Sequence, residues 1–234
     1  MRVIAGSAGG IRLAVPKRGV RPTMDRVKAA IFSSLGDAVV GARVLDLFAG
    51  SGALGIEALS RGASFVVFVE SDRQSVALIE DNLARTKLKG QVRQQDVFDF
   101  LPHACDAEMF DIVFADPPYD KMQDGERFTE KLLANEVLPQ LMEVDGIFVL
   151  EKRPDENLPE TGHWRVTRQK SYGATEVLFL CVSRTIRGEQ PRMNANQHEV
   201  LKCSKAASSR RTPKRLRREK SAVRNAQLND PFHL

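Results

Sequence analysis

The sequence predicts an α/β fold built on a doubly wound, mostly parallel sheet. Three observations carry this expectation. From Arg43 onward, short apolar runs alternate with helical stretches. The runs are apolar nearly throughout rather than at every second residue. A glycine-rich turn, Gly50-Ser51-Gly52-Ala53-Leu54-Gly55, follows the first of them. Strands apolar on both faces belong to sheets covered by helices on both sides, and strand–helix alternation runs successive strands parallel.

Taken in order, residues 2–15 alternate around Gly9-Gly10 (Val3; Ile11, Leu13, Val15) and read as a small β-hairpin. In RPTMDRVKAAIFSSL, Val27, Ala30, Ile31 and Leu35 share one helical face, with Thr23 placed to cap the helix and Asp25 in its first turn. Strands follow at 43–48, 65–70, 91–95, 110–115 and 146–151, with helices at 53–61, 73–87 and 126–138 and a short one at 97–101. Two last strands, 163–169 and 175–182, are joined by the short turn KSYGA and should be antiparallel, which makes seven strands. After Ser183 the hydrophobic period is lost. Nine basic residues and one acid stand between Lys202 and Lys220, without an aromatic, so the composition reads as a disordered tail. The organisation is a basic head (1–35), a central domain (36–183) and a basic tail (184–234).

Composition narrows the function classes. Hydrophobic residues make up 42% of the 234, enough for a packed core, yet no apolar run approaches the roughly 20 residues that span a membrane. The N-terminus has no continuous apolar core of the secretory kind. Cys105, Cys181 and Cys203 are scattered, without C-x-x-C spacing, and read as reduced thiols of a cytoplasmic protein; no metal-ligand pattern appears. The net charge of +5 is unevenly spread. Residues 184–234 carry 13 Lys/Arg against 4 Asp/Glu, a net +9; residues 1–35 carry 7 against Asp25, a net +6; the remainder is −10. Basic ends on an acidic middle point to a polyanionic partner met at the edges.

The glycine turn alone is a weak signal, since dinucleotides and other adenosine cofactors share it. Asp46 lies in the strand just before it, where a carboxylate would sit badly beside a pyrophosphate. It suits a ligand bearing an ammonium and a sulfonium, such as S-adenosylmethionine. Glu70 ends the next strand, placed to accept from ribose hydroxyls. Asp96 closes the third, placed to accept from an adenine amine. Each acid alone is more simply a turn or cap residue; three at successive parallel strand ends beside a glycine turn favour a nucleoside site.

The stretch FDIVFADPPYD runs an apolar strand into Asp116-Pro117-Pro118-Tyr119 at the carboxyl end of the fourth strand, beside the expected switch point of the sheet. D-P-P-Y after F-x-G-x-G resembles the methyltransferases that act on exocyclic nitrogens of nucleic-acid bases. An exocyclic amine is a poor nucleophile because its lone pair is delocalised. The Asp116 carboxylate and the Pro117 carbonyl can accept its two hydrogens and localise that pair, while the two prolines hold the acceptors rigid. Tyr119 offers a face for an extruded base. Transfer to carbon would call for a nucleophilic cysteine, and none of the three lies in such a motif.

With MRVIAGSAGGIRLAVP, RPTMDRVKAAIF, LDLFAGSGALGIEALSRGA and KSYGATEVLF added, residues 1–182 resemble the RsmD-type family of small-subunit ribosomal RNA guanine-N2 methyltransferases. The resemblance implies the Rossmann-like class I methyltransferase fold, S-adenosylmethionine as donor, and N2 of one guanine of 16S rRNA as target, within an assembling small subunit. It carries Asp116, Pro117, Pro118 and Tyr119 over as catalytic. Asp46, Phe48, Gly50, Ser51, Gly52, Leu54, Glu70, Asp96 and Val97 carry over as cofactor-binding. Thr23 belongs near the cofactor or target, and Arg21 and Arg26 face RNA or are an ordinary solvated helix start. The expected protein is a cytoplasmic monomer with no obligate protein partner. His103 and His163 read as structural.

A DNA adenine or cytosine amino-methyltransferase is the nearest rival, but the chain leaves no room for a large target-recognition segment. A non-catalytic ribosome-assembly protein would have no need of Asp116. An oxidoreductase would have no role for Asp46 or D-P-P-Y. The basic tail fits a non-specific RNA tether; a purely solubilising extension is the alternative. Each phosphate neutralised steepens the dependence of log affinity on log salt by about 0.7–0.9. Truncation after Ser183 is therefore expected to flatten that slope by several units, leaving saturating turnover unchanged; filter binding across a salt series checks it.

Overall fold

A computed structural model describes residues 1–15, 24–104, 109–118, 127–154, 156, 158–159 and 162–183. Helix α1 (Met24–Leu35) leads through a 3-10 turn into strand β1 (Arg43–Leu47), then α2 (Ala53–Ser60), β2 (Phe65–Glu70), α3 (Arg73–Thr86), β3 (Gln91–Gln94) and the single turn α4 (Val97–Phe100). Strand β4 (Phe110–Ala115), α5 (Phe128–Ala134), β5 (Met142–Lys152), β6 (Trp164–Tyr172) and β7 (Thr175–Val182) complete it. The seven strands form one sheet in the order β3-β2-β1-β4-β5-β7-β6. β1 to β5 run parallel, β7 is antiparallel to β5, and β6 is antiparallel to β7.

Local differences from the sequence expectation have local causes. The helix expected over 126–138 stops at Ala134, because the Asn135 side chain accepts from the Val137 and Leu138 amides and turns the chain into a 3-10 segment. α3 ends at Thr86 with Lys87 in the left-handed conformation (φ 57°). The N-terminal hairpin is reduced to a single antiparallel bridge between Arg2 and Arg12, braced by the Val3–Ile11 and Gly10–Val3 main-chain bonds. The tail, Thr23 and Tyr119 lie outside the described residues.

Two apolar layers cover the sheet. On one face Val44, Phe68, Ile112, Phe114, Val149 and Val177 pack with α1, α2 and α3. On the other, Leu45, Leu47, Val69, Ala115, Phe148 and Leu150 pack with α4, α5 and the segments around them. The first layer also holds Val3, Ala8 and Leu13, so packing runs across the charge boundary at residue 35.

Polar bonds, which the sequence pattern does not announce, seat that head. Glu57 on α2 is fully buried; its Oε2 accepts from the Ile4 amide at 2.7 Å and its Oε1 from the Ala5 amide at 3.1 Å. Lys28 of α1, 3% exposed, lies 3.1 Å from Glu57 Oε2 and donates to the Arg2 carbonyl at 2.6 Å. Ser60 Oγ donates to the Ala5 carbonyl and accepts from the Ala8 amide. Gly6, at φ 86°, passes so close that a Cβ would meet Ser60 O at 1.8 Å. Asn82 of α3 exchanges bonds with both main-chain groups of Ala14 and also donates to the Ser51 carbonyl, tying head and glycine turn together.

Removing one partner of a buried ion pair strands the other charge, at a cost of about 3–5 kcal/mol. Glu57→Gln is therefore expected to lower the urea-unfolding free energy by roughly 3 kcal/mol, well beyond the effect of Asp81→Asn in the exposed Arg85–Asp81 pair. Equal losses in the two variants would remove Glu57 as the anchor of the head.

Candidate active site

Strand order determines where a ligand can sit. The chain leaves β1 for β2 and β3 on one side, then returns to place β4 on the other side of β1. Crossovers on opposite sides open a crevice at the carboxyl ends of the two central strands. The cleft found there encloses about 670 Å³, its open mouth included. The glycine turn, Asp46 and Asp116 contribute to its lining, with Val27 and Lys28 from α1, and Glu151 and Thr175 from β5 and β7.

The turn is shaped by backbone freedom. Phe48, Gly50 and Gly52 all have positive φ, at 55°, 55° and 74°. The Phe48 ring packs against the stacked Phe98 and Phe128 rings, with centroids 6.2 and 5.4 Å away. A Cβ on Gly55 would fall 2.3 Å from the Phe68 ring, so glycine there lets α2 lie close on β2. Gly50 instead has open space where a Cβ would be, apart from the Phe48 carbonyl at 3.9 Å.

Asp46 occupies an unusual position for a carboxylate. It is 2% exposed, and Oδ2 accepts from the Gly55 amide in the first turn of α2 at 2.9 Å. Gly52, at the N-cap, has no side chain to satisfy that turn, so the strand supplies the oxygen. Burial pushes the Asp46 carboxyl up to about 8; the Gly55 amide opposes this, and the negative charges of Asp116 and Glu70 add to it. The cleft thus holds a carboxyl kept protonated near neutral pH, whose ionised form a cation would stabilise.

The other residues singled out in the sequence are placed as follows. Glu70 binds the turn, Oε2 accepting from the Gly50 amide and Oε1 from the Asp72 amide, each at 2.8 Å. Asp96 caps α4, Oδ1 accepting from the Phe98 amide at 2.7 Å, the simpler of its two sequence readings. The Val97 side chain is buried in the core, which leaves its main chain to meet a ligand. Phe48, Gly50, Ser51 and Leu54 line the cleft, and so does Asp116. Pro117 is buried, Pro118 is exposed, and Arg26 is exposed on α1. Arg21, Thr23 and Tyr119 fall outside the described residues.

Sequence reasoning passed over Lys28, Glu151 and Thr175. Glu151 carried a readable signal, since it closes the apolar run GIFVLE as Glu70 closes FVVFVE. Lys28 carried none, being one more lysine on a basic helix. Among the described residues, no group of three or more His, Cys, Asp or Glu is arranged to hold a metal.

Known proteins share much of this sequence and fold. The family model "Conserved hypothetical protein 95" matches residues 1–181. The chain is 42% identical over 182 residues to the Bacillus subtilis "Putative rRNA methyltransferase YlbH", covering 76% of this chain and 96% of that one. It is 34% identical over 198 residues to the Escherichia coli "Ribosomal RNA small subunit methyltransferase D", covering 81% and 92%. Among solved structures, the "Putative methyltransferase yhhF" of Escherichia coli superposes with a TM-score of 0.64 at 32% identity, over 79% of this chain and 99% of that one. The Thermus thermophilus 16S rRNA N2 G1207 methyltransferase (RsmC), in complex with AdoMet and guanosine, superposes at 0.56 with 27% identity, over 72% and 44%.

The raised Asp46 carboxyl makes stability depend on pH. Between its ordinary 3.8 and about 8, the folded protein holds a proton there that the unfolded chain has released. Stability from this group is thus full below pH 4 and falls as pH rises toward 8, by up to about 1.4 kcal/mol per unit. Asp46→Asn is expected to remove that downward contribution without reversing the rest of the curve. Denaturant unfolding of both proteins between pH 5 and 9 measures it; parallel curves would contradict the raised carboxyl.

Proposed function

The chain belongs to the Conserved hypothetical protein 95 family, that of the ribosomal RNA small subunit methyltransferases D, and we propose that it methylates N2 of one guanine in 16S rRNA. It is an S-adenosylmethionine-dependent rRNA methyltransferase with the class I methyltransferase fold. The observation that carries the finer reading is the position of Asp116. It follows β4 at the switch point, in the same cleft as the glycine turn and Asp46, and is followed by two prolines.

The residues present fit the donor. Gly50 leaves open space where a side chain would otherwise intrude, and Asp46 offers a buried carboxyl for an ammonium. We assign Asp46 and the Gly50–Gly52 turn to its amino-acid end, Glu70 to its ribose and the Asp96 carboxylate to its adenine amine; Phe48, Leu54 and the Val97 main chain remain the other candidates around the base. Bound there, S-adenosylmethionine supplies an electrophilic methyl group on a sulfonium. Asp116 and Glu151 add acids to the cleft wall, which favours the sulfonium of the donor over the neutral thioether sulfur of its product.

At the acceptor, Asp116 and the Pro117 carbonyl accept the two N2 hydrogens and hold the nitrogen with its lone pair localised. Proline at 117 and 118 fixes φ at both positions, so the acceptors need little reorganisation. Tyr119 is assigned to stacking on the extruded guanine. Arg21, Thr23 and Arg26 are assigned to the RNA beside it, with the basic head as its platform. The target is best met as RNA within an assembling small subunit, by a monomer in the cytoplasm. Among the described residues, no helix is long and apolar enough to cross a membrane.

Asp116→Ala is expected to lower single-turnover methyl transfer about 10²–10³-fold or more, as loss of a preorganised acceptor does. Calorimetric binding of S-adenosylhomocysteine should stay within a few-fold of wild type. Near-normal transfer by the variant would remove Asp116 from the chemistry.

A further inference from the structure

We infer that Glu151 selects guanine over adenine and cytosine by accepting the ring N1–H beside the amine that is methylated. The inference rests on the guanine-N2 reading and adds the residue that enforces it.

Sheet register brings the two acids together. β4 and β5 are parallel neighbours, and Ala115 pairs with Leu150 as the last registered pair. Asp116 directly follows β4 and Glu151 is the next residue of β5, so their positions adjoin across a strand spacing of about 4.8 Å. Side chains alternate between faces. Ile112 and Phe114 on β4, and Val149 on β5, belong to the layer under α1 and α2. Two residues on from Phe114 and Val149, Asp116 and Glu151 therefore project to that same face, as does Asp46 two residues on from Val44. All three line the cleft. Asp46 adjoins the glycine turn, whereas Glu151 lies on the far side of Asp116, toward Thr175 of β7. The order across the cleft is thus donor pocket, Asp116, Glu151.

Base chemistry assigns the second carboxylate. Guanine presents N1–H next to its N2 amine, two adjacent donor groups along one edge. The amines of adenine and cytosine are each flanked by a bare ring nitrogen, an acceptor. Asp116 and the Pro117 carbonyl are already committed to the two hydrogens of the amine, so N1–H needs another acceptor at the next position along the edge. Glu151 stands there. For adenine or cytosine the same carboxylate would face a ring lone pair, a buried repulsion that binds neither. A site built to pair a polar group commonly rejects the analogue lacking it by about 10⁴–10⁵.

The test replaces the target guanine, once mapped, by 2-aminopurine in ligated 16S rRNA assembled into small subunits. 2-Aminopurine keeps the amine but has a bare N1; loss of its 6-oxygen affects every variant alike, so the ratio of preferences isolates N1. Wild-type protein is expected to favour guanine at least a hundredfold in kcat/KM. Glu151→Gln, whose amide can donate to N1, should lose rate on guanine and narrow the preference by ten-fold or more. Glu151→Asp, which keeps the carboxylate, should retain the guanine preference at reduced rate. S-adenosylhomocysteine affinity reports that each variant is folded; if the glutamine variant is not, the aspartate variant alone decides, and loss of its guanine preference overturns the inference. A preference unchanged in a folded Glu151→Gln variant also overturns it and leaves the guanine-N2 reading standing. Absence of N2-methylguanine from wild-type product overturns both.

Discussion

Placing β4 against β1, rather than beyond β3, leaves a crevice at the carboxyl ends of two central strands that no crossover helix covers. The site follows from that adjacency. Alternation along parallel strands sends Asp46, Asp116 and Glu151 to one face, where Asp46 is buried and the other two are half-buried. A carboxyl in such a place is costly to ionise, which is why Asp46 is pushed up to about 8 while still anchoring the first turn of α2. A cleft of this kind gains most from a ligand that brings positive charge.

The head closes the cleft and is held by polar bonds more than by regular structure. Its single bridge would hardly be stable alone, yet the Glu57 carboxylate, Ser60 and Asn82 bind its main chain along most of its described length. Lys28 belongs to both systems. It pairs with Glu57 beneath the head and also lines the cleft, and burial holds its ammonium below the usual lysine range. The basic segment that we assign to RNA is thereby packed directly onto the cleft, a short route by which binding of RNA and of donor can influence each other.

Much of this was legible in the sequence because apolar runs, glycines and prolines report backbone requirements directly. FVVFVE and FDIVFA gave strands with matching bounds, and D-P-P located the end of β4. Asp46 was readable because an acid inside an apolar strand is expensive without a use. Asp96 has a local role that the sequence also offered: its carboxylate caps α4, as acids at helix starts commonly do. Glu57 and Lys28 were hidden. In sequence they are two more charges on helices, and only the return of residues 4 and 5 onto α2 buries them together. Glu151 was readable as the acid that closes an apolar run, but its place beside Asp116 depends on the neighbouring strand and not on its own neighbours in the chain.

The central claim is that one cleft joins the methyl donor to the amine of a guanine in small-subunit RNA. It is tested most directly by incubating the protein with methyl-labelled S-adenosylmethionine and small subunits from cells lacking it, then mapping the label by nuclease digestion and mass spectrometry. The account predicts a single 16S nucleotide recovered as N2-methylguanosine, with duplex DNA unlabelled under the same conditions. Label in adenine or cytosine, or in DNA and not in 16S rRNA, would contradict it.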